Sequence, residues 1–279
     1  MKMRIKRFLQ SLLVNDLSWL IMAPLVYTGR RLALSRLDYK KRKQNRENAD
    51  ICVNLFRERT VLHGLFKSLK YDDTESKGSS IYAKLLGSYE QEIMPVLEKL
   101  LKKQYNRLIN IGCDEGYYAV GIAIVLPNIK VIAFDCSRKA QENCKTLSKL
   151  NNVQDRILVK GCFDLRESAP HEITERTIFI VDCEGCENEI ITKQLVASFS
   201  NADFIIELHY SKHPLILTKL NELFTATHKI SVIKALSDHE RVMNYQFEEL
   251  NGLTYDQKNL ILNEREGFLE WFIAEAINE

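Results

Sequence analysis

Residues 107–118 read RLINIGCDEGYY. Leu108 to Ile111 form a short apolar run of strand length, Gly112 to Gly116 a loop bounded by glycines, and Tyr117 onward an apolar stretch of helix length. A strand, a tight loop and a helix in that order open a parallel α/β unit. The same alternation continues on the C-terminal side. Apolar runs predict further strands near 130–135, 156–161, 177–182, 203–209, 229–234 and 268–273, with helices over 116–125, 137–150, 187–199 and 214–224. Seven short runs separated by amphipathic stretches predict one mostly parallel sheet with helices on both faces.

In such a sheet ligands bind beyond the carboxyl ends of the strands, where the strand order reverses. Gly112 and Gly116 let backbone approach a ligand there, and Asp135, nineteen residues after Gly116, stands at the tip of the second strand. An acid in that place accepts the two hydrogen bonds of a ribose diol, or caps the helix beginning near Ser137. A dinucleotide fingerprint would need a third glycine near position 114, to admit a pyrophosphate. Asp114 stands there instead and repels phosphate, so the loop fits a cationic or zwitterionic nucleoside.

Three further runs carry polar groups to the edges of predicted elements. They are Gly87-Ser88-Tyr89-Glu90 before the first strand, Asp182-Cys183-Glu184-Gly185-Cys186-Glu187 after the fourth, and Glu207-Leu208-His209 at the end of the fifth. With Asn110 to Tyr118, these runs resemble the class I S-adenosylmethionine-dependent methyltransferases, and more narrowly the FkbM-like family, over about residues 86–275. The turn after the fourth strand matches the family's Asp-x-Glu-Gly-x-Glu signature, and 207–209 its Glu-x-His strand end. Asn110 departs from the pattern, which has an acid there.

The resemblance implies a Rossmann-like fold, S-adenosyl-L-methionine as cofactor and O-methylation of a sugar, glycan or related natural product. Asn110, Gly112, Asp114 and Gly116 would then hold the methionine part, Asp135 the ribose, and Cys162 and Asp164 the adenine edge, with Glu90 closing the site. Asp182, Glu184 and His209 would orient or deprotonate the acceptor hydroxyl. His209 is the best-placed neutral base and His213 a weaker substitute.

The carboxylates of Asp182, Glu184 and Glu187 should repel one another unless a proton or a cation is shared. No residue is assigned as a metal ligand, though a divalent ion with Glu207 and His209 as added ligands is an alternative. The C-x-x-C spacing of Cys183 and Cys186 has no second pair to complete a zinc site and reads as incidental.

The 279 residues hold 39 Lys+Arg, 37 Asp+Glu and 46% hydrophobic residues, which excludes collagen-like, low-complexity and wholly disordered classes. The near-neutral total conceals an uneven distribution. Residues 1–46 hold twelve basic and two acidic side chains, a charge of +10, which leaves 27 against 35, or −8, for the rest.

Lys2 to Gly29 superficially resembles a signal or a membrane span, but Asp16 and Pro24 interrupt it. It fits a helix lying on an anionic membrane surface or one packed on the body. Lys40 to Arg46 reads as a solvated linker, and 48–69 as a helix from its apolar spacing. Residues 71–80 then divide a basic extension, 1–80, from the methyltransferase domain, 81–279.

The odd set of seven cysteines reads as reduced thiols of a cytoplasmic protein, peripheral at the inner membrane face if the arm binds lipid. The partner is a small-molecule or glycan acceptor. Nucleic acid is disfavoured, since Tyr39 alone interleaves the basic charges and no Asn-Pro-Pro-Tyr-like motif follows the fourth strand. A nucleic-acid methyltransferase and a non-catalytic binding module are the rival readings.

Overall fold

The computed structural model describes residues 16–72, 81–165, 176–264 and 269–277, so the expectations for residues 1–15 and for the boundary at 73–80 lie outside it. The chain forms two compact units, Met1–Leu55 and Phe56–Glu279. The described part of the first is a helix, α1, Asp16–Leu55. It runs through Lys40 to Arg46, correcting the expected linker, because Lys, Arg and Gln lose little rotamer freedom in a helix. Pro24 lies inside it, and four residues on the Thr28 hydroxyl donates to the Pro24 carbonyl at 2.8 Å. Val26, Leu32 and Leu37 are exposed on it alongside Arg30, Arg31 and Arg36. Among the described residues, no helix is long and apolar enough to cross a membrane.

The helix expected over 48–69 holds only to Leu55, as the end of α1, and the second unit starts with an irregular segment that corrects the rest. Left-handed backbone at Arg59, Gly64 and Ser68 breaks the helix, and an isolated bridge joins Thr60 to Lys70. The apolar spacing reflects packing instead. Phe66 meets the Tyr117 ring edge-on at 5.0 Å and fills the space left by Gly121, where a Cβ would lie 2.6 Å from its ring. Residues 56–72 thus belong with the body rather than with a 1–80 extension.

Two short helices, α2 (Ile81–Leu86) and α3 (Met94–Leu101), precede β1 (Arg107–Ile111), α4 (Tyr117–Val125), β2 (Lys130–Phe134), α5 (Arg138–Leu150) and β3 (Ile157–Lys160). Then come β4 (Thr177–Val181), α6 (Glu187–Ile190), α7 (Lys193–Ser198), β5 (Asp203–Glu207), α8 (Ile216–Phe224) and β6 (His228–Lys234). The chain closes with α9 (Asp238–Asn244), α10 (Tyr255–Leu262) and β7 (Glu270–Ala276). The helix expected over 187–199 divides at the β-branched run Ile190-Ile191-Thr192. There the Thr192 hydroxyl accepts from Leu195 N and caps α7.

All seven expected strands form one sheet, in the order β3-β2-β1-β4-β5-β7-β6, with β7 antiparallel to both neighbours. Phe179, Phe204 and Phe272 on one face pack under Phe199 and Phe224 of the following helical segments, with Phe179 and Phe204 stacked at 4.5 Å. The alternate residues Leu108, Ile178, Ile180 and Ile205 are buried too, so the opposite face is covered as well. Strand order reverses between β1 and β4, and the loops after these two strands form the site.

Candidate active site at the strand reversal

The loop after β1 is held by its backbone. Gly112 N and Cys113 N both donate to Phe134 O, extending the β1–β2 ladder beyond the strands. Gly112 has φ +77, and a Cβ there would overlap the carbonyl oxygen of Asp182, so glycine lets the β1 and β4 loops touch. Gly116 has φ +100 and seats α4 against Cys144, where a Cβ would lie 2.8 Å from the sulfur. Asp114, between them, also takes a left-handed backbone with φ 43.

Asp135 ties this loop to the β2 tip. Its Oδ2 accepts from Asp114 N at 3.0 Å and its Oδ1 from Ser137 N at 2.8 Å, while the Ser137 hydroxyl accepts from Ala140 N and caps α5. Burial, reinforced by neighbouring Glu115, raises the Asp114 carboxyl to about 7. Burial pushes Glu115 up as well, but the ion pair with Lys84 outweighs it and holds that carboxyl below its usual range.

The turn after β4 is built around a buried carboxylate. Glu184 (φ 56) and Gly185 (φ 108) are both left-handed, which curls the backbone so that Glu187 Oε1 accepts from Cys183 N at 3.0 Å and Gly185 N at 3.4 Å. Cys183 and Cys186 are joined across the same turn, and Cys136 and Cys162 are joined across the β2 and β3 tips. Two disulfides correct the expectation of seven reduced thiols and of an incidental C-x-x-C. The β2 and β3 tips and the curled turn each bring two sulfurs together, which linear spacing does not reveal. Cys52, Cys113 and Cys144 are free and buried.

His209, two residues beyond β5, faces four carboxylates. Its Nδ1 lies 3.0 Å from Glu187, and its Nε2 3.3 Å from Glu184, 3.4 Å from Glu207 and 3.8 Å from Asp182. Burial favours the neutral ring, but Glu184, Glu187 and Asp182 prevail and raise its pKa to about 10. The nest therefore favours the protonated ring, where the sequence suggested a neutral base.

A cleft of about 600 Å³ opens over these loops. Of the residues assigned to cofactor or catalysis in the sequence, Gly112, Asp114, Asp135, Cys162, Asp182 and Glu184 line it. The others lie outside its wall. His209 is buried behind Asp182, and Gly116 sits under the loop against Cys144. Asn110 is buried at the end of β1, its amide nitrogen donating to Ile180 O at 3.3 Å. Glu90 accepts from the Tyr118 hydroxyl and, with Glu92, Glu207, Arg241 and Glu264, borders a separate small cavity. Asp164 is half-buried just beyond Phe163.

Lys139, Ala140, Asn143, Phe163 and Ile190 also line the cleft and were missed. Helical spacing would have grouped the first three, since 139, 140 and 143 share one face of α5.

No protein-family model and no curated protein matches the chain. Among solved structures it is similar to the O-methyltransferase TomG from Streptomyces achromogenes in complex with SAM, with 12% identity, a TM-score of 0.49, and 75% of this chain and 91% of that one covered. It is also similar to the O-methyltransferase from Bacillus cereus in complex with SAH, with 13% identity, a TM-score of 0.44 and coverage of 64% and 79%. A SAM-dependent O-methyltransferase from Thermotoga maritima gives 14%, 0.44, 66% and 65%. Likeness at this level carries no information about what the chain acts on.

Proposed function

We propose that the chain is an S-adenosylmethionine-dependent O-methyltransferase of the FkbM-like kind, acting on a hydroxyl of a sugar, glycan or related natural product. The charge of the cleft carries this reading. At the strand reversal Asp114, Asp135, Asp182 and Glu184 line the wall, and Lys139 is the single cationic side chain among the described lining residues. A ligand of net positive charge suits such a wall and a pyrophosphate does not. S-adenosylmethionine, a sulfonium with an amino-acid end, supplies an electrophilic methyl group when bound.

In this reading Asp135 accepts from the ribose hydroxyls, Gly112 and Asp114 meet the methionine end, and Cys162, Phe163 and Asp164 border the adenine. Asn110, Gly116 and Glu90 act from behind, by holding β1, α4 and Tyr118 in place. Transfer to a hydroxyl requires the acceptor to be held in line and its proton to be removed as the new bond forms. Asp182 and Glu184 reach the cleft and serve that step, while protonated His209 holds their charge together from below.

Calorimetry with S-adenosylmethionine and S-adenosylhomocysteine, followed by methyl incorporation into a panel of saccharides, tests the proposal. Stoichiometric binding and labelled saccharide are expected. Absence of binding by the folded chain would end it in favour of a non-catalytic module. For residues 1–46, we read the basic arm as an attachment to an anionic membrane surface. Full-length protein should sediment with anionic vesicles at low salt while a chain lacking the arm stays in solution.

A further inference from the structure

We infer that Asp182, Glu187 and His209 form a binding site for one divalent cation at the floor of the cleft, the ion displacing a proton from His209 as it binds. Each of the three offers a ligand atom, and these atoms lie within 4.8 Å of one another. The donor set is two carboxylates and one imidazole, which suits ions from Mn2+ to Zn2+ better than a soft-metal site; the adjacent Cys183 and Cys186 are joined to each other. Charge points the same way. Asp182, Glu184, Glu187 and Glu207 all lie within 4 Å of one imidazole, which can neutralise a single negative charge.

A second observation stands apart from charge. His209 is only 7% exposed, and its two ring nitrogens meet carboxylate oxygens at 3.0–3.8 Å. Glu187, 1% exposed, satisfies Oε1 with two backbone amides and leaves Oε2 without a hydrogen bond. Buried polar atoms with no hydrogen bond are uncommon in folded proteins, and a bound ion is one of the few things that accounts for them. Glu187 is placed by the curl of its own turn, so its free oxygen is presented without need for rearrangement.

Asp182 belongs both to this cluster and to the cleft wall, so the open side of the ion faces the cleft. An acceptor hydroxyl bound there becomes more acidic. Its O–H bond breaks with the proton passing to a carboxylate such as Glu184, an O–C bond forms to the methyl group, and the S–C bond breaks with its electron pair remaining on sulfur. This role rests on the methyl-transfer reading, whereas the ion site itself does not.

The test uses full-length chain treated with chelator, titrated with Mn2+ and followed by the electron paramagnetic resonance signal of the free ion. One Mn2+ per chain is expected, with at least tenfold weaker binding in Asp182→Asn and in Glu187→Gln. Glu189→Gln, an exposed acid on the same helix, should bind as the parent does. Circular dichroism checks that each variant is folded. Asp182→Asn alters a half-buried side chain and leaves the Glu187 bonds that hold the turn in place, so it serves if Glu187→Gln disturbs the turn. No stoichiometric Mn2+ in the parent chain, or undiminished binding in folded Asp182→Asn, overturns the inference. Calorimetry with S-adenosylhomocysteine separates the two readings. Nucleoside binding without Mn2+ removes the ion site alone, and Mn2+ binding without the nucleoside upholds the site while removing the methyl-transfer role.

Discussion

The two sides of the cleft hold their carboxylates by different means. On the β1–β2 side, Asp135 is satisfied by fixed amides, those of Asp114 and Ser137. On the β4–β5 side, Asp182, Glu184, Glu187 and Glu207 crowd a single imidazole. A carboxylate held by backbone dipoles keeps its charge and position whatever the solvent does. A nest balanced by one proton or one cation depends on that species. The first arrangement suits binding, and the second suits a step in which charge moves.

The largest effect expected from this contrast is on turnover. Glu184→Gln and Asp182→Asn should lower it about a hundred- to ten-thousandfold, the usual contribution of a positioned acid or base, while changing cofactor affinity little. Single-turnover assays beside calorimetry measure both quantities. A loss mainly in cofactor affinity would merge the two sides into one.

On the other side, Asp135→Ala should weaken cofactor binding by about ten- to a hundredfold, the loss of a charged hydrogen-bond partner worth roughly 1.5–3 kcal/mol. Unchanged affinity in the folded variant would remove the ribose assignment. Asn110→Asp, which family likeness makes look benign, should instead destabilise the fold by about 1–3 kcal/mol. It would set a buried carboxylate against the Ile180 carbonyl oxygen that the amide now satisfies. Thermal melting reports it, and an unchanged midpoint would show that the side chain can turn away.

A smaller, pH-dependent effect follows at Asp114. With its carboxyl raised to about 7, the charged form grows about tenfold between pH 6 and 8, and cofactor affinity should rise by about that factor if the group meets the ammonium. Asp114→Asn should flatten the profile.

The smallest effect is on stability. His209 is raised in the folded state, so its contribution is complete below about 6.5 and is lost as pH climbs toward about 10. The urea midpoint of the chelator-treated chain should therefore fall across that range more than that of His209→Gln. Parallel slopes would mean that the nest is balanced some other way.

Much of this was legible in the chain itself. Seven apolar runs placed the strands to within a few residues, because a strand buried on both faces must be apolar along its whole length. Gly112, Gly116, Asp135 and the 182–187 turn could be read because backbone geometry demands glycine or an acid at those points. Ser237 with Glu240 and Thr254 with Gln257 are capping boxes written in the sequence, and they announce α9 and α10, which apolar periodicity passed over. Over 56–69 the same periodicity misled, since Phe66 and Leu69 are buried by a loop rather than a helix.

Local pattern therefore determined the strands, the glycine loop and the presence of an acidic turn, all of which depend on residues near in the chain. Only the tertiary structure decided which acids meet. His209 and Asp182 are 27 positions apart, and Cys136 and Cys162 are 26 apart. Their encounter depends on β4 lying beside β5 and β2 beside β3. It likewise withdrew Asn110 and Glu90 from the cleft wall, because a side chain's direction at a strand end or a left-handed turn is set by what packs around it. Sequence spacing places a residue at the rim of a sheet, and the neighbours brought there by folding decide whether it faces ligand, sheet or another charge.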